Sequence, residues 1–178
     1  IFQDDNPNIM GGKSIDYSVF KKALVTNARW NYPSIKTLTI KETWDWLIGF
    51  PDFLLGFSET ATTRGLINLN DISKSDPNMK LFRSVMGLEA LYTSGTGNLQ
   101  QQVKDKSQII LGKQEEFKKL YKTMYDFRSK YIHGELNFAS STHLDISKVS
   151  EVYYQDLEKC THFALLILFA SIQELIIR

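Results

Sequence analysis

Apolar positions along this chain recur every three or four residues, and no segment sustains the strict alternation of a strand, so the pattern predicts helices. The clearest run extends from Lys113 or Gln114 to about Ile132. With Phe117 set at zero and ~100° per residue, Leu120, Tyr121, Met124, Phe127 and Tyr131 share one side. Lys118, Lys119, Lys122, Asp126 and Lys130 share the other, and Gly134 closes the helix. Upstream, Asp76 followed by Pro77 marks a helix start, a capping residue with proline at the first helical position. That helix carries Leu81, Phe82, Val85, Leu88, Leu91 and Tyr92 on its apolar side and ends in Ser94-Gly95-Thr96-Gly97. Asn98 is placed to cap a helix over Leu99 to Leu111, which Gly112 stops.

The first half is patterned more loosely. Residues 1–12 read as an irregular arm. Asp16 to Trp30 reads as a helix with Tyr17, Phe20, Ala23, Leu24 and Ala28 on one face, stopped by Pro33. Thr39 can cap a short helix through Thr43, Trp44, Trp46, Leu47 and Ile48, interrupted by Pro51. A further helix is expected around Glu59 to Leu69, weakened by Gly65. Trp30, Trp44 and Trp46 are expected to pack this half. After a loop from Glu135 to Asp145, a long last helix runs from about Ser147 to Ile177. Short connections between several helices predict an all-α, up-and-down bundle over 76–178, with an N-terminal arm and helical extension over 1–75.

Composition changes this picture little. At 178 residues, 43% hydrophobic and 23% charged, the chain has the make-up of a soluble globular protein. Lys plus Arg number 21 against 20 Asp plus Glu. A net charge of +1 gives no general attraction for polyanions, so nucleic acid would have to be held by a local patch. The lone Cys160 excludes an internal disulfide, and its setting among Leu157, Phe163 and Ala164 predicts an inert buried thiol. The opening IFQDDNPN has no signal-peptide character, and the start at Ile1 leads us to expect further domains of a longer polypeptide. The apolar run Phe163 to Ile172 is shorter than the ~20 residues a bilayer requires. A cytoplasmic location without membrane contact is therefore expected. No His, Asp or Glu spacing resembles a metal site, His143 and His162 being isolated, and no cofactor motif is present.

Candidate chemistry centres on YDFRSKYIHGE, Tyr125 to Glu135. Arg128 falls near the centre of its helix's apolar side, where a solvated arginine does not belong. Glu89 lies ~70° from the centre of the preceding helix's apolar stripe, at the edge from which a carboxylate can reach an inward-facing arginine. The pair is either a structural bridge or a means of orienting a functional arginine. His133 would stand ~140° from Arg128 on a continuous helix, but Gly134 allows the chain to leave the helix and the ring to swing back. A histidine is a general acid or base near neutral pH, and an arginine is a fixed fork for phosphate. Together they suffice in principle for metal-free transesterification of RNA. The competing reading is a C-terminal histidine favoured by the helix dipole. Tyr125 and Tyr131 flank the arginine and could stack on bases, although aromatic residues at helical spacing are more often core. Lys118, Lys119, Lys122 and Lys130 could follow a phosphate backbone, or could be an ordinary solvated face.

The block GLEALY (Gly87 to Tyr92), the helix ending IILG (Ile109 to Gly112) and EEFKKLYKTMYDFRSKYIHGE, taken in order, resemble HEPN domains, most closely the ApeA-like subgroup. The Arg-x4-6-His signature of that family is met by Arg128 and His133 at the four-residue spacing. The resemblance implies a helical bundle that often forms homodimers with two Arg-His motifs facing a shared cleft. Many such domains are metal-independent endoribonucleases of phage-defence or toxin systems. Others are non-catalytic modules that dimerise or bind a ligand or RNA. By position, Arg128 would stabilise phosphate charge, His133 would act as acid or base and Glu89 would orient Arg128. Ser129 and Lys130, with Tyr125 and Tyr131, would meet the substrate. Ser129 stands where HEPN nucleases often carry Asn, Asp or His.

Overall fold

The computed structural model describes residues 17–113, 115–135 and 151–178. Its last helix, α8 (Glu151–Ile177), sets the architecture. Every residue from Cys160 to Leu168 is buried, then again from Ala170 to Gln173. A helix apolar on all sides has to be enclosed by others. Around it pack α1 (Ser18–Trp30), α4 (Ala61–Ile72), α5 (Pro77–Tyr92), α6 (Leu99–Leu111) and α7 (Lys118–Ile132). The short helices α2 (Ile40–Leu47) and α3 (Pro51–Leu54) lie at the periphery. The architecture is an all-α bundle, and the described residues contain no strand. The run Phe163 to Ile172 is the middle of a 27-residue helix, not an isolated short segment. By length and apolarity α8 could cross a bilayer, but 72% of its most apolar window is buried against other helices, as befits a core helix.

Helices on both sides of the Ser75–Asp76 join contribute to one core: Val19, Ala23, Leu66 and Ile72 cluster with Leu81, Val85, Leu88 and Phe163. The most extensive helix pairs are α4 with α5 and α5 with α8, and a glycine permits each. A Cβ at Gly87 would stand 2.7 Å from Leu168 Cδ2, and one at Gly65 would stand 3.0 Å from Leu91 Cδ2. Gly65, which weakens the helical pattern locally, is thus a point of close approach.

Helix starts divide into those set locally and those set by packing. Thr39 and Glu42 form a reciprocal capping box on α2, the Thr39 amide donating to Glu42 Oε2 at 2.8 Å. Thr60 and Thr63 cap α4 in the same manner, which starts two residues later than its pattern suggests and runs on to Ile72. Asn98 corrects the expectation placed on it. It adopts a left-handed conformation (φ 54°) and its side chain caps nothing. Gln102 instead ties the turn, donating to the Gly97 carbonyl at 2.8 Å and the Ser94 carbonyl at 3.1 Å. Asp76 occupies its cap position without a side-chain hydrogen bond. The α7 helix starts at Lys118 rather than Lys113 or Gln114, after a 3-10 turn at Glu115–Phe117. That turn inserts Phe117 between Tyr32 and Phe163, with ring centroids 5.1 and 5.5 Å away. The arm, Gln114, the loop after Glu135, His143 and the expected helix start near Ser147 lie outside the described residues.

Cys160 is a free, fully buried thiol whose pKa burial pushes up to about 12, so it has little nucleophilic character. His162 is also buried. Its Nδ1 lies 3.1 Å from Thr26 Oγ1 on α1, and its Nε2 lies 3.9 Å from Glu158, which approaches Lys22 at 3.6 Å. Burial lowers its pKa, with Lys22 adding to that and Glu158 opposing it. The folded state therefore binds this proton less readily than the unfolded chain, whose histidines titrate near ~6.5. The neutral ring's contribution is complete above that pH and is lost as pH falls from ~6.5 toward the lower folded value. Melting temperatures measured from pH 7 down to 5 are expected to fall less steeply for His162→Gln than for the parent chain.

Candidate active site

The site is made by the facing sides of α5 and α7. Phe82 packs on Tyr131 with ring centroids 5.0 Å apart, and Glu89 meets Arg128, so the helices run antiparallel. Arg128 Nη2 donates to Glu89 Oε2 at 2.9 Å. Arg128 Nε stands 2.8 Å from Glu89 Oε1 but without the alignment of a hydrogen bond, so that arm is a Coulomb contact. The two side chains are 22% and 14% exposed. The pair thus lies at the margin of the core, the edge position expected for Glu89 but not the central one expected for Arg128, and is not sealed beneath α8. Nη1 donates to nothing among the described residues, and it remains available to an anion.

Tyr125 follows the core reading and not the base-stacking one, because it is buried and has no ring face for a ligand. Its hydroxyl lies against Glu89 without a well-formed hydrogen bond. Its pKa is raised first by burial and next by the Glu89 charge, with Arg128 opposing. Three polar atoms of this cluster, Tyr125 Oη, Glu89 Oε1 and Arg128 Nε, are therefore buried and incompletely satisfied. Tyr131 is half-buried, its ring against Phe82 and its hydroxyl donating to Met79 Sδ at 2.7 Å. It is thereby engaged in packing rather than presented to a ligand.

Ser129 and Lys130 are exposed on α7, as are Lys118, Lys119 and Lys122. The last three share a cleft of about 540 Å³ with Lys104, Glu115 and Glu116. Lys113 pairs with Glu115 at 2.8 Å, so the basic face is interrupted by carboxylates. Trp44, expected in the core, is more than half exposed on α2, whereas Trp30 and Trp46 pack as expected.

His133 occupies the C-cap of α7 and is exposed. The helix closes with a Schellman motif: the Glu135 amide donates to the Lys130 carbonyl at 2.9 Å and the Gly134 amide to the Tyr131 carbonyl at 3.2 Å. The left-handed residue is Gly134 (φ 70°). His133 itself keeps near-helical backbone (φ −85°, ψ 3°), with its amide bonded to the Ser129 carbonyl. The break follows His133 and does not swing it toward Arg128. Its Cα stays ~140° around the axis, and no hydrogen bond joins the two residues within the chain.

No family model, curated protein or solved structure matches this chain.

The chemistry of the site therefore rests on its geometry. A guanidinium gripped on one edge and open on the other can hold a phosphate. An exposed imidazole on the same helix can move a proton. Among the described residues no three His, Cys, Asp or Glu side chains converge as metal ligands. The coupling between Arg128 and Glu89 is measurable. Arg128→Ala is expected to cost about 2–3 kcal/mol in urea unfolding, below the ~3–5 of a fully buried pair, because water reaches both side chains. Glu89→Ala should cost a similar amount, and the double variant clearly less than the sum. Additive losses would show that the contact contributes nothing as a pair.

Proposed function

We propose that this chain is a HEPN-type domain that cleaves RNA without a metal, acting as a homodimer within a larger cytoplasmic phage-defence or toxin-like protein. The observation that carries the reading is the half-used guanidinium of Arg128. Glu89 holds its Nε and Nη2 edge, Nη1 has no partner among the described residues, and the surrounding buried polar atoms are incompletely paired. Unsatisfied buried groups of this kind are costly to stability. In the reaction, the ribose 2′-hydroxyl attacks the adjacent phosphorus and the 5′-oxygen leaves, giving a 2′,3′-cyclic phosphate and a free 5′-hydroxyl. Arg128 neutralises charge on the phosphoryl oxygens. A base must accept the 2′-hydroxyl proton and an acid must supply one to the leaving oxygen. The His133 side chain is tied to no other among the described residues and lies on another side of α7 from Arg128, so a homodimer would supply one histidine for each task. RNA cleavage in EDTA by the parent chain, His133→Ala and Arg128→Ala tests this, and equal cleavage by all three defeats it.

One observation favours a second reading, a non-catalytic HEPN module for dimerisation or for ligand or RNA binding: within one protomer Arg128 and His133 do not converge. That reading expects no cleavage by the parent chain but retained self-association.

A further inference from the structure

Helix α2 is apolar on two sides. Thr43, Trp46 and Leu47 face inward, lining a cavity of about 670 Å³ shared with α1, α4 and α8. Ile40, Trp44 and Ile48 face outward and are 90%, 56% and 53% exposed. Their four-residue spacing aligns them in one ridge, the kind of row that packs into the groove of another helix. The chain just beyond, at Leu54, Leu55 and Phe57, is exposed as well. Together these six side chains leave on the order of 700 Å² of apolar surface in water. The ~800 Å² that each partner buries in a standard interface is of the same order.

Two features of the ridge say what covers it. Its order, Ile-Trp-Ile, reads the same in both directions about Trp44, so an antiparallel copy presents an identical row. Lys41 and Asp45 pair along a single flank, ~60° and ~100° around the axis from Trp44. A two-fold axis through the contact sets that flank against itself, with Lys41 facing the partner's Asp45 and Asp45 facing the partner's Lys41. The surface is thus complementary to itself in both shape and charge, as an isologous interface requires.

We propose that a second copy of this chain docks on this ridge, α2 against α2 and antiparallel across a two-fold axis at Trp44. The contact is carried by Ile40, Trp44 and Ile48, and it is separate from the α7 contact by which two Arg128–His133 motifs would share a cleft.

Sedimentation equilibrium tests it on the parent chain, Trp44→Asp, Lys41→Glu and Lys41→Glu/Asp45→Lys, each checked by circular dichroism and thermal melting. Lys41 and Asp45 are well exposed, so the charge variants should fold normally even if Trp44→Asp does not. The parent is expected at or above twice the 20.5 kDa chain mass at micromolar concentration. Trp44→Asp should weaken association at least ~30-fold, as loss of a central tryptophan does. Lys41→Glu should weaken it too, and adding Asp45→Lys should restore it by re-forming the exchanged pairs. A monomeric parent overturns the proposal and leaves the ridge to another partner or another part of the chain. A dimer that survives Trp44→Asp but dissociates with Arg128→Ala places the contact at α7 and overturns it equally. Failure of the double charge reversal to recover association rules out the antiparallel arrangement.

Discussion

Replacing His133 with alanine is expected to lower RNA cleavage in EDTA by about 10²–10⁴-fold, the usual contribution of a positioned acid or base, while hardly changing stability. The asymmetry follows from its position. His133 is an exposed C-cap residue whose fixed interaction is its backbone amide bond to Ser129, which alanine keeps. Its charge can add only ~0.3–1 kcal/mol through the helix dipole, a shift of no more than ~4 °C in a chain of this size. Arg128→Ala should behave differently, lowering cleavage and stability together, because it removes the phosphate fork and leaves Glu89 unpaired. Cleavage of a labelled RNA, read beside a melting curve, separates the two residues. Full activity in His133→Ala ends the nuclease reading. Loss of activity with a large loss of stability in both variants would mean only that the domain had unfolded.

The sequence was legible where a local rule decides the outcome. The Thr39 cap and the Gly134 stop depend on neighbouring residues alone, so spacing reveals them. The Glu89–Arg128 pair was also legible, though it joins distant residues, because each is a charge misplaced on an otherwise regular amphipathic face. What escaped depends on tertiary packing. Tyr125 sits ~80° from Phe117 on the wheel, at the edge of the stripe, and only the approach of α5 buries it. Phe117 trades a helical turn for a place in an aromatic cluster, which delays the start of α7. Trp44 has the composition of a core residue, and its exposure follows from the way α2 lies, with Trp46 and Leu47 already facing inward. For His133, the identity of Gly134 gave the right terminator. Which residue leaves the helix is decided by the Schellman geometry, and that assigns the break to the glycine.

Phe163→Ala is expected to cost about 3–5 kcal/mol and to lower the melting temperature by roughly 10 °C or more. Phe163 is fully buried, with Trp30, Phe117 and Tyr121 at centroid distances of 6.2, 5.5 and 4.8 Å. Its contacts with Phe117 and Tyr121 are stacked and edge-on, at 22° and 87°, arrangements that contribute beyond area alone. Phe163→Leu fills most of the space and should cost considerably less, so the difference between the two variants measures the cavity. The location matters as much as the size. Trp30 closes α1, Phe117 belongs to the turn before α7, and Phe163 lies in α8, so one ring joins helices on both sides of the Ser75–Asp76 join. If these helices share one core, calorimetry of Phe163→Ala should show a single transition moved to lower temperature. Two transitions, with one left at the parent's temperature, would show that α1 to α4 fold apart from the helices carrying Glu89 and Arg128. A single transition means that the first 75 residues and the candidate site unfold as one unit, so destabilising substitutions in the former lower the stability of the latter.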